Sequence, residues 1–265
     1  MPRRYIMDDY RTIKVVSEAG GATLFLSRPQ FLNAIDEEMG SELQTALKLL
    51  SHDEKVRCVA ITGEGQAFPA GQDVKEIREG TSFGELVRKR YNPVIKLMIQ
   101  MEKPVVAVVN GIAAGAGTTL ALACDFRIMS SSAKLIQAFV RIGLVPDSGS
   151  SYFLPRMVGY ARASDLAALG DEISSEEALR LGLVNRVFAA EKLADESRKL
   201  LDRFSKGPAK AYALMKRSLN HCSTASLEES LDYEAYMREI AGRTANAREG
   251  IKAFVGKRAP SFDGK

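Results

Sequence analysis

At 265 residues the chain can bury a full core, as one large α/β domain or a domain with an appendage, which excludes a tiny stapled scaffold. Its 46% hydrophobic and 26% charged residues exclude a disordered or fibrous chain, and 37 basic against 33 acidic residues favour anionic ligands without reaching a nucleic-acid signature. Three scattered cysteines, Cys58, Cys124 and Cys222, make neither a disulfide framework nor a zinc site; with no apolar signal core behind Met1-Pro2-Arg3-Arg4, they point to a reducing cytoplasm.

In chain order, Thr12–Ser17 and Ala22–Ser27 read as strands of a hairpin turned at Glu18-Ala19-Gly20-Gly21. Ile35–Leu50 has apolar residues at a helical period, with Asn33 and Asp36 as candidate caps, and Arg57–Thr62 reads as a short buried strand. Asp73–Arg78 is helix-like. Phe83–Met101 reads as a longer amphipathic helix kinked or broken at Pro93. Pro104–Val109 is a further strand, Thr118–Ala123 a buried helix and Phe126–Ser130 another strand. The apolar run from Pro104 to Cys124 is interrupted by Asn110 and several glycines, so no membrane span is expected.

Beyond Ser148 the pattern is almost wholly helical: Ser148–Val158, Ala161–Leu169, Ser174–Leu181, Lys192–Ser205, Ala209–Cys222, Ser226–Ile240 and Ala245–Phe254, with only Asn185–Phe188 strand-like. Repeated strand–loop–helix units predict a mainly parallel sheet with right-handed crossovers and ligands at the carboxyl ends of its strands. We expect a core over residues 1–190 and a helical region over 191–265. The apolar Leu227, Leu231, Tyr233, Ala235, Tyr236 and Ile240 suit packing against a neighbour.

Two loops stand out. Ala67-Phe68-Pro69-Ala70-Gly71-Gln72-Asp73 and Asn110-Gly111-Ile112-Ala113-Ala114-Gly115-Ala116-Gly117 each join an apolar strand to a helical run, and their small side chains let backbone approach a ligand. Taken singly, such a loop is most simply a tight turn. As neighbours, the pair could aim backbone N–H groups at one carbonyl oxygen, forming an oxyanion hole. Neither is a phosphate loop or a GxGxxG turn, which disfavours a nucleotide-dependent dehydrogenase. Asp147 precedes a helix and reads first as its N-cap; Asp73 reads as a cap or loop brace. His52, in the polar segment Ser51-His52-Asp53-Glu54, and His221, near the end of a helix, are the only histidines, so a Ser-His-Asp hydrolase or a multi-histidine metal centre has little support.

These loops, with Ser27-Arg28-Pro29, Asn33-Ala34, the Ile142–Gly159 segment, Arg248-Glu249-Gly250 and Lys257-Arg258, resemble the crotonase, or enoyl-CoA hydratase/isomerase, superfamily over nearly the whole chain. Ala70-Gly71-Gln72-Asp73, Tyr91-Asn92-Pro93 and Gly143-Leu144-Val145-Pro146-Asp147 are most similar to its ring-1,2-epoxyphenylacetyl-CoA isomerases, although Pro69 stands where those typically have cysteine. The resemblance implies an α/β crotonase-like spiral of ββα units with a C-terminal helical trimerisation region, assembling as a homotrimer or as a hexamer, a dimer of trimers. It implies an acyl-CoA thioester substrate, with coenzyme A entering as part of that substrate and no separate cofactor or metal. Gln72 and Ala116 then supply the oxyanion-hole N–H groups, Gln72, Asp73, Val74, Lys75 and Ala116 line the CoA path, and Lys257 approaches a CoA phosphate from an adjacent subunit.

The hydratases of this family carry two glutamates where this chain has Thr119 and Phe139. Neither side chain exchanges a proton as a carboxylate does, which disfavours water addition. Asp147 matches the acid/base aspartate of the family's isomerases. It also matches the nucleophile of the aromatic-acyl-CoA dehalogenases, which use a tryptophan and a histidine missing here. The expected activity is isomerisation, by double-bond migration or ring-epoxide opening, in phenylacetate or fatty-acid catabolism. The alternatives are a hydratase-like lyase and a non-catalytic acyl-CoA or RNA-binding member.

Overall fold

The protein is described from a computed structural model covering residues 5–7 and 10–262. Its strands are β1 (Tyr5–Met7), β2 (Ile13–Glu18), β3 (Gly21–Leu26), β4 (Cys58–Gly63), β5 (Val105–Val109), β6 (Ala113–Ala114), β7 (Phe126–Ser130), β8 (Lys134–Ile136), β9 (Glu172–Ser174) and β10 (Arg186–Phe188). Its helices are α1 (Glu37–His52), α2 (Phe83–Leu86), α3 (Asn92–Gln100), α4 (Ala116–Leu122), α5 (Ser150–Val158), α6 (Tyr160–Leu169), α7 (Ser175–Arg180), α8 (Ala190–Ser205), α9 (Ala209–Cys222), α10 (Leu227–Gly242) and α11 (Ala245–Val255). Among the described residues no helix is long and apolar enough to cross a membrane.

The larger sheet runs β1-β2-β3-β4-β5-β7-β10, antiparallel through the β2–β3 hairpin and parallel from β3 onward. Central strands β4 and β5 are buried at every position because helices cover both faces, and their uninterrupted apolar runs follow from that. On one face α1 lays down Met39, Leu43, Ala46, Leu47 and Leu50. On the other, Leu193, Leu200, Leu201 and Phe204 of α8 cover Cys58, Ala60, Val106, Val108 and Ile128. Each such side chain, fully buried, contributes roughly 1.5–3 kcal/mol. A second, small sheet, β6-β8-β9, stands over the carboxyl ends of β4 and β5 and carries the second loop.

The hairpin, α1 with its Asp36 cap (Met39 N–H to Oδ1, 2.7 Å) and the parallel order are as the sequence predicts. Asn33 caps nothing; its amide donates to the carbonyls of Glu64 (2.9 Å) and Ala67 (2.8 Å) and so holds the first loop. The helix expected over Asp73–Arg78 is a single 3-10 turn, Val74–Glu76, started by the Asp73 side chain accepting the Lys75 N–H and ended where Ile77 turns extended. Phe83–Met101 is helical through Gln100, as expected, with its irregularity just ahead of Pro93. The short α2 passes through a π-turn, Val87–Tyr91, directly into α3, whose first turn holds Pro93, where the missing N–H costs little. The helix expected from Ser174 is preceded by strand β9, whose three residues are too few for a periodic signal. Strand β8 is equally short and carries no periodic signal either.

Helix α9 is pinned to the sheet by a buried lysine. Lys216 Nζ donates to the Met98 carbonyl (2.6 Å) and to Asp125 (2.8 Å), whose carboxylate also accepts the Val105 N–H (2.8 Å) at the start of β5. Burial pushes the Asp125 carboxyl above its usual range, and Lys216 opposes that. Farther along, Leu227 (76% exposed), Leu231, Tyr236, Ile251 and Phe254 (86%) leave apolar surface uncovered on α10 and α11.

Candidate active site

Parallel pairing of β4 with β5 delivers the two loops side by side, and backbone contacts lock them. Ala67 and Ile112 form a β-bridge, the Ala114 N–H donates to the Pro69 carbonyl (3.2 Å), and Asn110 accepts the Gly63 N–H (3.0 Å) while donating to the Gly65 carbonyl (3.1 Å). A Cβ on Gly111 would sit 1.9 Å from the Gln66 carbonyl oxygen, and one on Gly117 1.8 Å from that of Pro69. Only glycine allows this approach.

The first loop is also paired on its outer side: Ile35 bridges Gln72, taking the Gly71 carbonyl (2.8 Å) and accepting the Asp73 N–H (3.1 Å). In such a bridge the N–H of Gln72 points away from Ile35, toward the second loop. Ala116 opens α4, so its N–H has no partner inside the helix. A Cβ on Gly71 would lie 4.0 Å from Ala116 N, which places the two donor-bearing segments together. Among the described residues neither the Gln72 nor the Ala116 N–H has an acceptor. Two unpaired donors at one point are what an oxyanion requires.

Around this point the wall is apolar. Thr119 is fully buried and its hydroxyl turns back to the Gly115 carbonyl (3.3 Å). Phe139, on the 3-10 segment Ala138–Ile142, lays its ring against Gly115. Neither position offers a titratable group. A narrow cavity beside Ala116 is lined by Ile35, Leu43, Tyr91, Val94, Leu120 and Ser148.

Asp147 adjoins Ser148 at this cavity, and its role as an N-cap is corrected by the structure. The cap of α5 is Gly149, in the left-handed region, with no side-chain bond to the helix. The Asp147 carboxylate instead accepts one hydrogen bond, from the Ser148 hydroxyl (2.7 Å). Ser148 itself has φ +55, a conformation that non-glycine residues rarely adopt, so the turn is strained where it presents the aspartate. Burial pushes the Asp147 carboxyl above the usual range, and the Ser148 hydrogen bond only partly opposes it. Nearby, burial likewise raises Tyr91, and the charges of Asp147 and Glu76 disfavour its phenolate further.

The remaining expected site residues are placed as follows. Asp73 is a brace: it pairs with Arg28 (3.0 Å) and accepts the Lys75 N–H (3.2 Å). Arg28 also pairs with Asp36 (3.0 Å) and donates to the Ala34 carbonyl (2.5 Å), so one guanidinium ties α1 to the oxyanion loop. Val74 is exposed, and the Lys75 ammonium stands 5.7 Å from the exposed Phe31 ring. Lys257 is exposed just past α11. Arg28 and Tyr91 were not singled out as site residues from the sequence alone; nothing in local spacing marks a residue whose partners lie 45 or 56 positions away.

A sequence model of the enoyl-CoA hydratase/isomerase family matches residues 17–265. The chain belongs to that family. It is 40% identical over 253 residues to the 1,2-epoxyphenylacetyl-CoA isomerase of Escherichia coli (strain K12), covering 94% of this chain and 97% of that one. To the crotonyl-CoA hydratase of Syntrophomonas wolfei it is 35% identical over 262 residues, covering 97% and 99%. A crystal structure of an enoyl-CoA hydratase from Polaromonas sp. JS666 superposes with a TM-score of 0.90 at 35% identity, over 94% of this chain and 98% of that one. The fold is therefore the family's crotonase fold, α/β with a C-terminal helical region, and the family acts on acyl-CoA thioesters.

Proposed function

We propose that this family member is an acyl-CoA isomerase in which Asp147 moves a proton on the acyl group. The observation that carries the reading is that buried Thr119 and Phe139, where the resemblance puts the two glutamates of the hydratases, offer no titratable group, while a half-buried aspartate with a raised pKa directly precedes Ser148 on the wall of the cavity beside Ala116. The thioester oxygen sits between the Gln72 and Ala116 N–H groups. Ionised Asp147 takes a proton from the carbon next to the thioester carbonyl, and the electron pair moves onto the oxygen held by the two donors. The same carboxyl returns the proton farther along the acyl group, which shifts a double bond. In a ring-epoxide substrate the equivalent transfer accompanies ring expansion to an oxepin. Resemblance to the Escherichia coli isomerase supports this chemistry and a place in phenylacetate or fatty-acid catabolism.

In this reading coenzyme A arrives with the substrate along Gln72–Lys75, and Lys257 meets a CoA phosphate from an adjacent subunit. The uncovered apolar side chains of α10 and α11 support assembly as a trimer or dimer of trimers in the cytoplasm; a monomeric sedimentation mass would defeat the assembly. The decisive variant is Asp147→Asn. It should keep acyl-CoA binding but lower the conversion of trans-3-hexenoyl-CoA to its 2-enoyl isomer about 10²–10⁴-fold. Near-parental turnover in that variant, or brisk hydration of crotonyl-CoA by the parent, would overturn the assignment.

A further inference from the structure

Asp147 stands on a strained turn. Ser148 has φ +55 and Gly149 φ +95, and the Ser150 N–H closes the turn on the Asp147 carbonyl (2.8 Å). A non-glycine residue persists in the left-handed region only where its surroundings hold it. Little restraint comes from the chain just ahead: Val140, Arg141, Ile142, Gly143 and Val145 are all exposed. Gln137 reaches the turn from across the fold. Its Oε1 accepts the Ser150 hydroxyl at 2.9 Å, a bond between residues thirteen apart, and both partners are fully buried.

The rest of the Gln137 amide is unsatisfied. Its Nε2 is buried with no partner among the described residues, so the Ser150 bond is what the side-chain amide makes there. A buried donor left unpaired is unfavourable, and a methionine would fill a similar volume without that cost. The amide's contribution is therefore the acceptor it offers Ser150.

The neighbouring residue holds the other half of the site. The Ile136 carbonyl accepts the Gly115 N–H (2.9 Å) and the Thr118 hydroxyl (3.0 Å), and Ile136 pairs with Ala114 across β8 and β6. Ala116, which supplies one oxyanion donor in the proposed mechanism, directly follows Gly115. Two consecutive residues, about 3.8 Å apart at Cα, thus carry the donor segment and the aspartate turn.

We infer that Gln137 is a positioning residue for Asp147, acting through the Ser150 hydroxyl to fix the carboxylate's place relative to the oxyanion donors. It touches no substrate and moves no proton. The inference rests on the isomerase reading, because it gives Asp147 a geometry that only the proton transfer needs.

Gln137→Met and Ser150→Ala remove the bond from either side, and Ser150→Ala, the smaller change, carries the test if Gln137→Met does not fold. Isomerisation of trans-3-hexenoyl-CoA by the full-length protein is the readout. Each variant should lower kcat about 10- to 100-fold, the effect of misplacing a catalytic group by about 1 Å, with KM kept within about threefold. The double variant should lose no more than either single one, since both remove the same bond. The acid limb of kcat/KM should move down toward the ordinary carboxylate range as the loosened turn admits water to Asp147. In an Asp147→Asn background either substitution should change the residual turnover less than about twofold. Unchanged kcat, an unmoved acid limb, losses that multiply in the double variant, or an equal loss in the Asp147→Asn background overturns the inference and leaves the isomerase reading standing. Parental turnover in Asp147→Asn itself overturns both.

Discussion

Replacing Gly117 by alanine tests whether contact between the two loops sets the geometry of the oxyanion hole. The added Cβ would lie 1.8 Å from the Pro69 carbonyl oxygen, 2.7 Å from its carbon and 3.2 Å from its ring. A carbon–oxygen contact settles near 3.3 Å, so the loops must part by about 1.5 Å. That carbonyl is the acceptor for the Ala114 N–H, and Gly71 and Ala116 lie within two or three residues of the clash, so the Gln72 and Ala116 donors separate by a comparable amount. Loss of one such donor costs about 10²–10³ in kcat, and overpacking a core costs about 1–3 kcal/mol of stability. Isomerisation of trans-3-hexenoyl-CoA, followed by absorbance of the conjugated product, and a urea melt read the two effects. Gly84→Ala, whose Cβ meets nothing closer than the Arg88 side chain at 3.5 Å, is the control. Turnover in Gly117→Ala within threefold of the parent, with an unchanged melt, would refute the reasoning.

The raised Asp147 carboxyl has two signed consequences. As a base it acts when ionised, so activity should rise with pH along a limb lying above the ordinary carboxylate range, measured as kcat/KM against pH. For stability the sign is opposite: the folded state keeps a proton that the unfolded chain has released. The stabilisation from this group is therefore full below the ordinary carboxylate value and lost as pH rises through the raised one. Asp147→Asn should then be at least as stable as the parent at pH 7, read as Tm. Arg28→Met leaves Asp36 and Asp73 as uncompensated, largely buried carboxylates, and should cost about 3–5 kcal/mol in urea unfolding, with a matching loss of turnover as the oxyanion loop loosens. Arg28→Lys should not restore it, since one ammonium cannot reproduce the fork that serves Asp36, Asp73 and Ala34 together.

Much of the architecture was legible because it is written at short range. The alternation of β2, the apolar runs of β4 and β5, the period of α1 and the Asp36 cap all depend on neighbours within a few positions. The segments misread were those governed from a distance. The two- and three-residue strands β6, β8 and β9 are too short to carry a period and exist because they pair with one another. The irregularity lies just ahead of Pro93, but its form, a π-turn that turns Tyr91 inward, is settled by packing against α1 and Ile35.

The same division runs through the site. By itself the sequence determined the loop composition, the absence of a carboxylate at Thr119 and Phe139, and the presence of an aspartate after Pro146, since these are facts of residue type. Tertiary structure alone decided that Asp147 is not a helix cap, that the Gln72 and Ala116 segments lie together with both N–H groups unpaired, and that Tyr91 shares a cavity wall with Ala116. The reason is physical: a hydrogen-bond inventory and a pKa depend on which groups are nearby and how much water is excluded. Both are set by β4 and β5 lying side by side, a pairing between segments more than forty residues apart.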